Sequence, residues 1–434
     1  MNSILCPKGL AVLAALVALG ALPAGAEEPA TRSLSLQDCM AYALQHNPDL
    51  VSSQQSVVVA RSSLRQARSS YSPQLTLSAS DSLHDESQGV AASTGGADLT
   101  LNMTFWRSGR QDSVGQSRAS LSAATASHED RRLTVARMVA EDYYAVLAAA
   151  ELVGVARAGV ESAEGHRKQV EKQIEQGSVA PVEIHTVDDD LAQARLSLID
   201  AKSTVRTALA TLKADMGMPY TNDLQLVPAI MGAAETLPAT ADAVATALAT
   251  RPDIQAQQAT VRARRHAVAV ARAARGPVLE VAGQAAESYP DWNDTRSSVS
   301  LSAGLTWPLF DGGNTAAAQD AAAANLTSSE ADLQALADQV TLEVQSALIG
   351  LESAAEKIRA TDEAVIAATA RLRSAEVKYQ EGLGILLEVT DARQALTSAE
   401  ADAVRARFSY QVGRIALQRA MGVLPLPTGE AAAQ

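Results

Sequence analysis

The residues able to hold a metal or attack a substrate are few, and they do not converge. The run Asp188-Asp189-Asp190 would need further ligands from elsewhere to hold a cation, and it reads as a solvated helix face. His46, His84, His128, His166, His185 and His266 show neither close metal-ligand spacing nor a partner cysteine. Cys6 falls in an N-terminal leader, which leaves Cys39 without a disulfide partner, so Cys39 reads as a small buried apolar residue. Gly312-Gly313 follows a strand pattern and opens a helix but lacks the further glycine and acidic partner of a dinucleotide fingerprint. Phosphate-loop and nucleophile-elbow patterns are absent. These residues point to no catalytic site, no cofactor and no bound metal, and the chain reads as something other than an enzyme. One acidic pair remains: Glu388 and Asp391 stand three apart, which puts both carboxylates on one face of a helix. On spacing alone that is an ordinary solvated face.

The elements that would position these residues begin after the leader. Lys8 precedes an apolar run from Gly9 to Ala21, and Leu22-Pro23-Ala24-Gly25-Ala26 offers a small-residue cleavage site before Glu27. Beyond it no charge-free apolar stretch reaches the ~18 residues of a spanning helix, so any membrane crossing is expected by strands. The net charge of −13 disfavours nucleic acid, which needs a basic footprint. Aromatics at 3% are scarce for one large globular core, while abundant alanine suits long helices packed closely side by side.

The chain also repeats itself. A shift of 204 lays Asn47-Pro48-Asp49-Leu50 on Arg251-Pro252-Asp253-Ile254, Pro73 on Pro277 and Gly109 on Gly313. A shift of 205 then lays Gly177 on Gly382, Glu183 on Glu388 and Met216-Gly217 on Met421-Gly422. Weight falls on the Pro and Gly pairs, because they mark changes of chain direction. The division expected is a signal peptide at 1–26, a first repeat at 27–218, an inter-repeat linker at 219–239, a second repeat at 240–423 and a tail at 424–434. Each repeat reads as a helix, two strands, a helix about twice as long, a break and a further helix.

Four segments alternate apolar and polar residues with period two, at about 73–83, 97–106, 277–287 and 298–309. Leu75, Leu77 and Ala79 oppose Thr76 and Ser78, and Val299, Leu301 and Leu305 oppose Ser298, Ser300 and Ser302. Segments of about ten residues are long enough to cross a bilayer as tilted strands. Phe105, Trp106, Trp292, Trp307 and Phe310 lie at or beside them, as an interfacial aromatic girdle would. Strands in lipid survive only in closed barrels, and these start at about eight strands. Four strands cannot close alone, so a ring of two, three or four identical chains is required, and the sequence does not choose among them. A helix from Ser108 to Gln176 would extend roughly 100 Å at 1.5 Å per residue, far beyond a bilayer of about 30 Å. Most of the molecule should therefore project away from the membrane. Gly177-Ser178-Val179-Ala180-Pro181 and Gly382-Leu383-Gly384 reverse the chain at its far end.

This order of elements resembles the TolC-like outer-membrane efflux family over nearly the whole chain after the leader. Leu34-Ser35-Leu36 with Ala43-Leu44 and Asn47-Pro48-Asp49-Leu50 resembles its first-helix pattern, Leu305-Thr306-Trp307-Pro308-Leu309-Phe310-Asp311-Gly312-Gly313 its strand-to-helix signature, and Tyr379-Gln380-Glu381-Gly382 with Glu388-Val389-Thr390-Asp391-Ala392 its second hairpin tip. The resemblance implies a mainly α protein with a membrane β-barrel. It implies a homotrimer in the outer membrane, with a twelve-stranded barrel and a periplasmic helical barrel. It also implies docking on an inner-membrane transporter through a periplasmic adaptor, in efflux or type I secretion. Glu388 and Asp391 match the family's acidic entrance ring, while Glu183 and Tyr379 match its gate-holding contact between hairpins. Gly384 stands where the family often carries an arginine. Contact with an adaptor at the two turns is expected to loosen the hairpins and widen the ring. The alternative is a soluble periplasmic coiled-coil adaptor or structural protein without a pore.

Overall fold

A computed structural model describes residues 32–85, 91–221, 224–228, 237–291 and 294–427. The leader assigned to 1–26, Trp292 and much of the expected linker and tail lie outside the described residues. Fourteen elements follow in order: β1 (Arg32–Leu34), α1 (Leu36–His46), α2 (Pro48–Ser69), β2 (Gln74–Asp85), β3 (Ala91–Arg107), α3 (Arg110–Glu175), α4 (Glu183–Met216), β4 (Leu224–Leu226), α5 (Thr240–Thr250), α6 (Pro252–Ala273), β5 (Val278–Asp291), β6 (Asp294–Thr306), α7 (Asn314–Gln380) and α8 (Leu386–Ala420).

The opening helix expected to bend at Pro48 is two helices. Asn47, the residue before proline, is extended at φ −64° and ψ 125°, which ends α1, and its side chain caps the backbone N–H groups of Asp49 and Leu50 at the start of α2. Arg251 before Pro252 has the same extended backbone, φ −61° and ψ 127°, and divides α5 from α6 likewise. The duplication extends to contacts. Asn47 Nδ2 donates to the Asp215 carbonyl at the end of α4 (2.7 Å), and Arg251 Nη1 donates to the Ala420 carbonyl at the end of α8 (3.2 Å). Gly217, at φ +70°, passes so close to His46 that a Cβ there would lie 2.6 Å from its carbonyl oxygen. Its counterpart Gly422, at φ +69°, abuts Thr250 and Arg251. Each short helix thus meets the next end to end alongside one long helix.

Strands β2-β3-β5-β6 form one antiparallel sheet in that order. Beyond it the helices follow the same sequence, with α3 packed between α2 and α6, and α6 against α7. Register places Leu75, Leu101, Gly283 and Leu301 in one row across the sheet and Leu77, Leu99, Ala285 and Val299 in another, while Thr76, Thr100, Gln284 and Ser300 form a row on the opposite face. One face is apolar, the other polar. The apolar face is bare: Leu77, Leu301 and Val299 are 73%, 80% and 88% exposed. The outer edges of β2 and β6 pair with nothing among the described residues.

The core lies at mid-length of the helices. Cys39, Val135, Val139, Tyr143, Leu212, Met216 and Phe408 pack α1, α3, α4 and α8 together. Ala243, Val340, Val344, Leu351 and Leu417 do the same for α5, α7 and α8. Burial pushes the Cys39 thiol up to about 12, so it stays an unreactive thiol. The short parallel pair β1–β4 closes this level, with Tyr143 Oη donating to the Val227 carbonyl beside it. Among the described residues one helix, α3, contains a window apolar enough by composition to cross a membrane, which qualifies the expectation of none. Leu133, Val139, Tyr143 and Val146 of this helix enter the central core, while only 17% of the apolar window is buried within the protomer.

Candidate periplasmic gate

Helices α3 and α4 form one hairpin, α7 and α8 the other, and both reverse at the end farthest from the sheet. Gly177 and Gly382 take left-handed backbone, φ +72° and +71°, just past the long helices. Ser178 N–H donates to the Gln173 carbonyl and Gly177 N–H to that of Ile174; Leu383 and Gly382 repeat the pair on Lys378 and Tyr379. These paired bonds satisfy the last helix carbonyls. Pro181 lies in the turn before α4. Gly384 is close-packed: a Cβ there would sit 3.1 Å from Lys378 Cβ. The turns are otherwise open, and Val182, Leu383, Ile385 and Leu387 expose apolar side chains around them.

On the first turns of α8, Leu386 and Val389 are buried while Glu388 and Asp391 are exposed. The two carboxylates therefore share the face turned away from the hairpin core. Tyr379 and Glu183 come together, with Tyr379 Oη donating to Glu183 Oε2 at 3.4 Å. That is longer than a well-formed O–H···O bond, so the contact is weak. Burial first, and then the Glu183 charge, raise the Tyr379 hydroxyl above its ordinary value.

Stronger ties between the hairpins involve residues that the sequence reading did not assign to the gate. Thr390 Oγ1 donates to Asp190 Oδ2 at 3.0 Å, and Arg393 reaches from α8 to the Ser162 carbonyl on α3 at 2.6 Å and, within its own hairpin, to Glu376 on α7 at 2.7 Å. Asp190 belongs to the aspartate run read as a solvated face, but that run is divided. Asp188 pairs with Arg167 at 2.6 Å and Asp189 is exposed, while Asp190 turns inward, where burial raises its carboxyl despite the Thr390 bond. Among the described residues no cluster of three or more His, Cys, Asp or Glu could hold a metal. The only signal for Arg393 in the sequence was its place two residues beyond Asp391, about two turns into α8.

His166 on α3 is 4% exposed, and its ring lies edge-on to Tyr379 at 6.1 Å between centroids. Neither ring nitrogen has a hydrogen-bond partner, and Arg393 Nε is also buried and unpartnered. Burial, and secondarily the Arg393 charge, lower His166 to about 4, so the ring is neutral at physiological pH.

At the other end of the molecule Phe105, Trp106, Trp307 and Phe310 gather at the helix-proximal rim of the sheet, all exposed. Trp307 Nε1 donates to the Arg275 carbonyl at 3.1 Å, tying β6 to the chain entering β5.

Residues 40–218 and 243–423 each match the model of the outer membrane efflux protein family. The chain is 28% identical over 342 residues to the pyoverdine export outer membrane protein OpmQ of Pseudomonas putida, covering 74% of this chain and 69% of that one. It is 24% identical over 401 residues to the outer membrane efflux protein BepC of Brucella suis, covering 91% and 86%. Among solved structures, CusC superposes with a TM-score of 0.80 at 19% identity over 92% of this chain and 95% of that one. The CmeC outer membrane channel of Campylobacter jejuni gives 0.79 at 19%, over 97% and 95%.

Proposed function

We propose, from the premise that this chain belongs to the outer membrane efflux protein family, that three copies close their sheets into one barrel of about twelve strands and their helices into one tunnel. Family members are channels rather than enzymes, and this protein is an outer-membrane efflux channel. The observation that carries the assembly is the sheet itself. One face is apolar and bare, the other polar, and both edges are open among the described residues, so each edge strand needs a further partner. The apolar face meets lipid, the aromatic rim lies at the periplasmic headgroup level, and the polar face lines the lumen. A soluble adaptor would have no use for a bare apolar sheet.

The α3–α4 and α7–α8 hairpins extend into the periplasm and narrow to the entrance. Threefold symmetry brings the Glu388 and Asp391 carboxylates of all copies around one constriction, where repulsion at ~8 Å is roughly 0.5 kcal/mol per pair even in bulk water. The ring admits cations more readily than anions. A periplasmic adaptor docks on the turns 177–181 and 382–384, whose exposed Val182, Leu383, Ile385 and Leu387 favour an apolar partner surface. Docking separates the hairpins and widens the ring, and conduction is passive, with an inner-membrane transporter supplying cargo and energy.

Single-channel conductance of the purified protein in a planar bilayer tests this reading. Small, cation-selective openings are expected, and Glu388→Ala/Asp391→Ala should lose the selectivity. Absence of any conductance from membrane-inserted protein would overturn the channel assembly; unchanged selectivity in the double variant would overturn the gate.

A further inference from the structure

Just beyond the sheet, α3, α6 and the turn after α2 shape an open cavity of about 590 Å³, whose polar lining includes Tyr71, Gln111, Arg118, Arg262 and His266. Among the described residues that lining contains no carboxylate. The surrounding chain is strongly basic although the whole carries a net charge of −13. Segments 54–72, 107–128 and 254–278 together hold eleven arginines and a single acidic residue, Asp112. The helical plan does not demand this charge: in α7, the repeat counterpart of α3, residues 314–330 include Asp320 and Glu330 and no basic side chain.

Neighbouring groups set the pocket wall in place. His266 Nδ1 stands 3.0 Å from Asp112 Oδ1, which engages that one carboxylate. The imidazole packs on Gly115, where a Cβ would lie 2.7 Å from the ring. Tyr71 is held under Arg110, whose guanidinium carbon is 4.5 Å from the ring centroid. Arg118 and Arg262 line the cavity from different helices, are exposed, and have no acidic partner among the described residues. A planar carboxylate is satisfied by one guanidinium fork, whereas a tetrahedral phosphate offers oxygens to two forks arriving from different directions. We propose that this pocket binds a phosphate group between Arg118 and Arg262. Its level gives that group two sources. β3 ends at Arg107 and Gln111 follows four residues on, about 6 Å at 1.5 Å per residue, against about 5–8 Å for one lipid headgroup layer. A headgroup phosphate and a soluble phosphate therefore both reach the pocket. The lipid source rests on the sheet lying in the membrane; the phosphate site does not, since one protomer supplies its walls.

The experiment titrates purified protein in neutral detergent with inorganic phosphate and with dihexanoyl phosphatidylglycerol, followed by calorimetry, with acetate at equal ionic strength as the control for charge alone. Saturable binding of at least one phosphate probe, roughly tenfold or more tighter than acetate, is expected. Arg118→Gln/Arg262→Gln should weaken it by roughly tenfold or more. Arg61→Gln/Arg264→Gln removes the same charge outside the lining and should change it by no more than about twofold, because exposed charges at a distance are screened. Tighter phosphatidylglycerol binding assigns the site to the headgroup, and tighter inorganic phosphate binding to the soluble anion. Absence of saturable binding by both probes, acetate binding as tight as phosphate, or equal loss in the two double variants would each overturn the proposal. None of these outcomes depends on conduction, so bilayer recording tells a failed channel reading from a failed phosphate site.

Discussion

At the scale of single residues, the hairpins are held by a few polar side chains of unequal strength, and His166 makes their packing sensitive to acid. Its ring is neutral because burial and Arg393 lower it to about 4, against roughly 6.5 for a solvated histidine. The closed packing therefore takes up the proton less readily than a solvated ring does. Its contribution is complete above about pH 6.5 and is lost progressively as pH falls toward 4, by up to about 1.4 kcal/mol per pH unit. Asp190, raised by burial, works in the opposite direction, since a carboxyl that favours its proton stabilises the closed packing as pH falls. Arg393 and Glu376 are paired with each other, and Glu183 reaches this region only through Tyr379. Comparing wild type with His166→Phe isolates the histidine from the others. Open probability in the bilayer should rise between pH 6.5 and 4.5 in wild type more than in His166→Phe; parallel profiles would show that His166 does not titrate with opening. The sequence could not single out this residue, because six scattered histidines carry no sign of which one becomes buried beside an arginine 227 positions away. Glu183 and Tyr379 were legible by resemblance alone, and their bond, at 3.4 Å, is longer than the Thr390–Asp190 and Arg393–Ser162 ties.

At the scale of elements, the strands were legible because period two is set by the backbone and survives in any register. Their ends were not: β3 begins at Ala91 rather than near 97, since Ala-Ser-Thr-Gly-Gly carries no apolar alternation. The bulge between Thr104 and Trp106 also leaves no period to read. The pair β1–β4 was missed because three residues are too few to show a pattern. Pro48 and Pro252 were legible as breaks, but that each starts a new helix depended on the extended backbone of Asn47 and Arg251 before them, with a side-chain cap only from Asn47. The two faces of the sheet give a prediction at this scale. Leu301 sits in the apolar row with Leu75, Leu101 and Gly283, and its neighbour Ser300 sits in the polar row with Thr76, Thr100 and Gln284. Leu301→Arg should cost about 2–4 kcal/mol in lipid near the bilayer midplane, while the same substitution at a lumen-facing position costs little. Outer-membrane fractionation and heat-modifiable gel mobility should show Leu301→Arg lost from the assembled pool and Ser300→Arg retained. Equal loss of both would mean that the sheet does not present one face to lipid.

At the scale of the whole molecule, two levels of pairing are left incomplete in one chain, and they are incomplete at the same places. The sheet ends on β2 and β6, and the helices that continue the order end on α2 and α7, so a single contact surface serves both. The helical edges can stand in water, because an α-helix satisfies its own backbone. The strand edges cannot stand in lipid, where each unpaired backbone group costs several kcal/mol. Assembly should therefore be enforced by the sheet rather than by the helical body, although the helices make up most of the chain. The helices in turn have their own cores at mid-length, built from residues of a single protomer around Cys39, Tyr143 and Phe408 and around Val340, Val344 and Leu351. Heating the detergent-solubilised protein should accordingly give coincident loss of the sheet signal in circular dichroism and of the threefold protomer mass in light scattering, with helical signal persisting beyond that point. A sheet signal surviving in the dissociated protomer would mean that four strands are stable alone and that open edges are not what drives assembly. Helical signal lost in the same step would mean that the protomer cores depend on neighbouring copies and that the tunnel folds only as a whole.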